Sequence, residues 1–185
     1  MVETAQVIAL VAFLFLAIGV AIAARRTGSI LRRTREAEGF RGDVGDLARR
    51  VEASLGDVAM LIDGVRRRDT DPDAIAASLA AAQDAVELYA EEARALGAPS
   101  VAVVYRAAIV HELERAGRAL QLVEHGCLLY ATGRRLDRGP EADTAIKRGY
   151  LNLVHARERI AGQAAAAIER AEDASPVRRL GRRDS

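Results

Sequence analysis

From Ala5 to Ala24 the chain reads AQVIALVAFLFLAIGVAIAA, twenty consecutive residues without a charge. At about 1.5 Å of rise per residue a helix of this length spans roughly 30 Å, the thickness of bilayer hydrocarbon. Eleven of the twenty are Leu, Ile, Phe or Val, each favourable by roughly 0.3 to 0.6 kcal/mol at the bilayer centre. A cleaved export signal is the competing reading, because Ala21-Ile22-Ala23 forms an A-x-A site. Against it, MVET carries Glu3 and no basic residue, and the apolar run exceeds the roughly 7 to 15 residues usual for a signal. The sequence therefore predicts a retained transmembrane helix over 5–24.

Basic residues follow directly. Arg25, Arg26, Arg32, Arg33 and Arg35 lie within the span where the positive-inside bias acts. The expected orientation places the N-terminus outside and the rest of the chain in the cytoplasm, at an inner or plasma membrane. The same arginines are suited to anionic lipid headgroups. Residues 25–42 are basic and punctuated by glycine, and Gly39, Gly42 and Gly45 each weaken a continuous helix by roughly 1 kcal/mol relative to Ala, so 25–42 reads as a juxtamembrane linker that could be helical in part.

Beyond it the apolar spacing becomes helical. Val44, Val51, Val58 and Val65 repeat as a heptad from the candidate N-cap Asp43, with Leu47 and Leu61 at a second position and Leu55 and Ile62 beside them. This first helix should end near Arg68. Asp71-Pro72-Asp73 then combines an N-cap, a proline at the first helical position and an acidic first turn. The second stripe is Ile75, Leu79, Ala82, Val86, Tyr89, Ala93 and Leu96, stopped by Gly97-Ala98-Pro99. A third, from near Ser100, carries Ile109, Leu113, Ala116, Leu120, Val123, Cys127 and Tyr130 up to Gly133. The fourth begins at Pro140 and shows Ile146, Tyr150, Leu153, Ile160, Ala164, Ala167 and Ala171 before Ser175-Pro176.

Four such stripes cannot be buried alone. Short connections make the simplest solution an all-α, coiled-coil-like antiparallel up-down four-helix bundle over 43–174. One long stalk is disfavoured by the stops at 97–99 and 139–140. Residues 175–185 remain as a basic tail, expected to be disordered. Aromatic residues make up only 4% of the chain and Trp is absent, which argues against sandwiches and aromatic stacking platforms and for close packing through Ala. Cys127 is the single cysteine, so no intramolecular disulfide can form, and its place on the third stripe makes it a core residue.

Charge is unevenly distributed along the chain. Lys147 is the only lysine among 27 basic residues, so arginine abundance reflects composition and is not by itself a binding signal. Residues 25–36 carry +4, residues 175–185 carry +3, and with Glu3 counted the remaining 37–174 carry −5. An acidic body between two basic ends suits contact of both ends with an anionic leaflet, which adds Arg178, Arg179, Arg182 and Arg183 to the candidate headgroup contacts.

Catalytic and nucleic-acid signals are weak. Arg66-Arg67-Arg68 would share a pole of the bundle with Arg134, Arg135 and Arg138, but so would Asp69, Asp71, Asp73, Asp137, Glu141 and Asp143. That balance removes the field that counterion release requires, and no nucleic-acid partner is expected. His111 with Glu114 and His155 with Glu158 form two H-x-x-E pairs, weak candidates for a metal site. Carboxylate-bridged metal bundles use the reverse order with ligands facing inward, whereas these histidines and His125 fall on outer faces of the expected stripes. Arg106 and Arg157 land on expected core positions, read as slippage of the heptad. No phosphate loop, nucleophile elbow or C-x-x-C pair is present.

The sequence thus leads to a non-enzymatic, single-pass membrane-anchored bundle that works as scaffold, adaptor or oligomerisation module through a protein partner or itself, with no cofactor. The alternative is a bundle that binds a metal or small molecule.

Overall fold

A computed structural model describes the backbone of residues 2–133 and 138–173, and the side chains of 35–131 and 138–173. Among the described residues there are four α-helices and no strand: α1 (Val2–Arg67), α2 (Ala76–Ala95), α3 (Val103–Gly133) and α4 (Gly139–Asp173), with a 3-10 turn at Pro72–Ile75 before α2. No helix is long and apolar enough, among the described residues, to cross a membrane. The expected span 5–24 belongs to the part of α1 whose side chains lie outside the described residues, and the tail 175–185 lies outside them altogether.

Each helix runs antiparallel to its neighbours in a closed ring. Arg41 meets Glu172 at 3.2 Å and Arg157 meets Glu52 at 3.3 Å, so α4 descends where α1 ascends. Arg94–Glu114 at 2.6 Å and Gln83–Glu124 at 3.0 Å relate α2 and α3 in the same way. Arg50, which pairs with Glu92 and lies over the Tyr89 ring, links α1 to α2. The α3–α4 pair is the most extensively packed and the α1–α2 pair the least.

The glycine-containing stretch 25–42, expected as a linker that could be partly helical, has a helical backbone throughout: α1 passes through it without interruption. Packing explains this. Ala37, Phe40 and Val44 are buried, and burying a Phe side chain is worth roughly 1.5 to 3 kcal/mol, enough to offset the roughly 1 kcal/mol lost at a glycine. The core therefore begins before Asp43.

Val44, Leu47, Val51, Leu55, Val58, Ile62 and Val65 form the buried stripe of α1, but Leu61 is 39% exposed. The Val44–Val65 heptad stays buried throughout, and beside it Leu55 and Ile62, not Leu61, fill the second row of the seam. On the other three helices the expected apolar positions are buried, except that Tyr89, Tyr130 and Tyr150 are half-buried. Arg157 is half-buried too. Its neighbour Ala156 occupies the core position, so the expected register slips by one residue there.

Turn chemistry closes the elements. Asp69 N–H donates to Gly64 O at 2.9 Å and Arg68 N–H to Val65 O at 3.0 Å, a Schellman ending of α1 with Arg68 at φ 67°. Asp71 Oδ1 then accepts from Asp73 N–H at 3.0 Å with Pro72 at the first helical position, as the sequence predicts. At the far end of α2, Arg106 donates to Leu96 O at 2.9 Å, which supplies a partner for a terminal carbonyl.

Candidate functional site

The helices α3 and α4 approach so closely that two positions admit no side chain. A Cβ on Gly149 would lie 2.5 Å from Val123 Cγ2 and 2.8 Å from Ala119 O; one on Gly126 would lie 2.6 Å from Ile146 Cγ1 and 3.1 Å from Ala142 O. Ala119 and Gly126 on α3 thus face Gly149 and Ala142 on α4 in antiparallel register. One heptad before Ala119 the same series reaches Glu112, the one buried charged residue among the described residues. Its carboxylate accepts from Arg115 Nη1 at 3.2 Å and pairs with Arg159 Nε at 2.8 Å. No buried side-chain polar atom among the described residues lacks a partner. This cluster is fully satisfied and presents no reactive group, so it reads as an interhelical tie.

The pole formed by the α1–α2 and α3–α4 connections carries the arginine run. Arg66 and Arg67 both bind Asp63, at 2.6 and 2.7 Å, and Arg66 lies over the Tyr150 ring. The Arg66 hydrogen bond holds the Asp63 carboxyl below the ordinary carboxylate value. Arg68 pairs with Asp143 at 3.3 Å, and Tyr130 donates to the same carboxylate. Burial, reinforced by Asp143, raises the Tyr130 hydroxyl above its ordinary value. A cleft of about 530 Å³ opens here between Val65, Arg68, Asp71, Pro72 and Tyr130. The arginines are thus committed to carboxylates one by one. Arg134, Arg135 and Asp137 lie outside the described residues.

His111, His125 and His155 are exposed, on the outer faces anticipated for them. Glu114 is engaged by Arg94 at 2.6 Å, and Glu158 is exposed. Among the described residues no three His, Cys, Asp or Glu side chains group as metal ligands. Cys127 is buried, and burial, with Asp73 and Glu124 nearby, pushes its thiol up to about 11. Its burial makes it a core group, and the raised pKa makes it an unreactive one.

The opposite pole gathers the ends of the bundle. There α1 enters beside the last turn of α4, joined by the Arg41–Glu172 pair. The α2–α3 connection lies at this pole as well, and Val101 within it and Val103 and Val104 at the start of α3 are exposed, the last of them 67% accessible. Of the candidate headgroup contacts, Arg35 is described and exposed; the side chains of Arg25, Arg26, Arg32 and Arg33, and the whole of Arg178, Arg179, Arg182 and Arg183, lie outside the described residues.

Sequence reasoning missed Glu112 and Asp63. Glu112 was legible only through α4, since it continues the small-residue heptad Ala119–Gly126 that Gly149 answers. Asp63 was legible from its spacing of three and four residues to Arg66 and Arg67, the separation at which helical side chains meet. No family model, curated protein or solved structure matches the chain.

Proposed function

We propose that this chain is a single-pass membrane protein whose helical bundle stands in the cytoplasm, N-terminus outside, and serves as a scaffold, adaptor or oligomerisation module through protein–protein contacts and without catalysis. One observation carries the reading: the twenty-residue uncharged run 5–24 lies on the same unbroken helix, α1, that supplies a full side of the bundle core. A segment that apolar is costly to leave in water, and the five arginines immediately after it favour retention of the following chain on the cytoplasmic side. Val101, Val103 and Val104, exposed close together in the chain where α3 begins, support partner contact.

Metal binding is the weaker reading, because Glu114 already has an arginine partner and both histidines point away from the core.

The test is labelling of a Ser185→Cys variant with a membrane-impermeant thiol reagent, in intact and then permeabilised cells, with the wild-type protein as blank. Labelling in the membrane fraction only after permeabilisation is expected; labelling of intact cells, or recovery of the protein from the soluble fraction, overturns the reading. For the scaffold role, the full chain in detergent should change mass with concentration or co-purify with a stoichiometric partner. A strictly monomeric protein without partner leaves the anchor but removes the scaffold.

A further inference from the structure

Two exposed leucines on opposite corners of the ring stand at one height. α2 packs on α1 and α3, and α4 packs on the same two helices, so α2 and α4 are diagonal and their outer faces look in opposite directions. Leu88 on α2 is 63% exposed and Leu151 on α4 is 44% exposed. Leu88 lies midway between Gln83 and Arg94, which meet Glu124 and Glu114, and is therefore level with Ala119 of α3. Ala119 O is where Gly149 of α4 packs, two residues from Leu151. At about 1.5 Å of rise per residue, the two leucines fall within about 3 Å of the same level along the bundle. Both helices run toward the pole where α1 enters.

The charges that frame the leucines are opposite in sign. Asp84, Leu88 and Glu91 are spaced i, i+4, i+7 along one face of α2, turned away from the buried Val86 and Ala90. Arg148, Leu151 and His155 are spaced i, i+3, i+7 along one face of α4, turned away from the buried Leu153 and Ala156. All six are exposed. Among the described residues neither Asp84 nor Arg148 has an ion-pair partner, and Glu91 is held only by Arg94, which it shares with Glu114. Between two copies side by side at one height, Asp84 of the first comes level with Arg148 of the second, Leu88 with Leu151, and Glu91 with His155, a hydrogen-bond donor in either charge state.

Deepening the oligomerisation reading, and resting on its anchor to set all copies at one height and in one orientation, we propose that the α2 face of one copy docks on the α4 face of a second copy of this chain, leucine against leucine between the two polar pairs. The contact is heterologous. Because the two faces look in opposite directions, it repeats instead of closing on a pair, and the copies line up as a row in the plane of the membrane. A single helix face on each side is a small interface of the weak class in free solution. Confinement to one bilayer raises the effective concentration of the copies and makes that weak contact sufficient.

The full chain, labelled at Ser185→Cys with donor on half of the copies and acceptor on the rest, is reconstituted into phosphatidylcholine vesicles at a fixed protein-to-lipid ratio. Flotation of protein with vesicles reports the anchor independently of docking. Two variants each reverse one face: Asp84→Arg with Glu91→Arg, and Arg148→Glu with His155→Glu. Either variant alone carries like charge on both faces and should show only the transfer of random collision. Expected for the wild type is transfer at least about twofold above that level, lost when salt is raised from about 0.1 to about 1 M. The two variants mixed, donor on one and acceptor on the other, should recover the wild-type value, and adding Leu88→Gln to both should lower it again. No recovery on mixing overturns the row; so does recovery indifferent to Leu88, which is general attraction between a basic and an acidic protein. Wild-type transfer at the random level with full flotation overturns the docking and leaves the anchor standing. Failure to float overturns the anchor reading, and with it the common height on which the row depends.

Discussion

Glu112 and Arg159 join α3 to α4 through a 2.8 Å ion pair whose two halves live in different surroundings: the carboxylate side chain is 3% exposed, the guanidinium 60%. The pair is thus asymmetric in what its loss would leave behind. Replacing Arg159 by Ala strands a buried carboxylate on its remaining contact to Arg115, and should cost about 2 to 3 kcal/mol. Replacing Glu112 by Leu removes the buried charge and leaves two arginines that water can solvate, so it should cost less than about 1 kcal/mol. Urea unfolding of both variants gives the comparison; equal losses would mean that the pair contributes no buried-charge penalty.

Gly149 should resist substitution more than any exposed glycine. An added Cβ meets Ala119 O at 2.8 Å, a backbone atom that moves only if the helices separate. Gly149→Ala is expected to lose about 1 to 3 kcal/mol through overpacking, despite the gain of roughly 1 kcal/mol in helix propensity. Gly162→Ala, where nothing lies within 4 Å, is the control. It should gain about 0.4 to 1 kcal/mol. Thermal melts of the two variants should move in opposite directions.

Arg68 closes α1 in the left-handed region at φ 67°, where a residue with a Cβ is disfavoured by roughly 1 to 2 kcal/mol. Its ion pair with Asp143 is 79% exposed on the arginine side and worth at most about 1 kcal/mol. Arg68→Gly should therefore stabilise the protein by up to about 1 kcal/mol, read as a higher denaturation midpoint at unchanged slope.

Cys127 should be silent to a thiol reagent at neutral pH and become labelled only as the bundle opens. Its pKa is raised from 9.0 to about 11 by burial first, with Asp73 and Glu124 adding. The folded state holds the proton more tightly than the unfolded chain, so stability falls as pH rises through this window and is unaffected below it. Cys127→Ala should flatten the alkaline limb between about 9 and about 11, measured by denaturation at fixed pH steps.

Most of the bundle was legible because its helices are separated by strong punctuation and their stripes are long. Asp71-Pro72 and Gly97-Ala98-Pro99 act through local backbone chemistry that no tertiary contact needs to supply. Where tertiary packing competes with local preference, the sequence misleads. Gly39 and Gly42 argued for weakened helix that burial of Phe40 offsets, and Leu61 matched a heptad position whose place in the core its neighbour Ile62 takes. Glu112 escaped for a related reason: its partner across the seam, Arg159, stands more than forty positions away on another helix.

Because α1 continues from Val2 to Arg67 without a break, its outer end and its core-facing stripe are locked in angular phase. One residue inserted between 25 and 36 would turn Phe40, Val44 and Leu47 by about 100° relative to everything before them and lengthen the shaft by about 1.5 Å. Four inserted residues would restore the phase to within about 40° while adding about 6 Å. Rotation and length at one end are thus delivered undamped to the other, as in a drive shaft, and insertion phase rather than insertion size sets how far the bundle is reoriented.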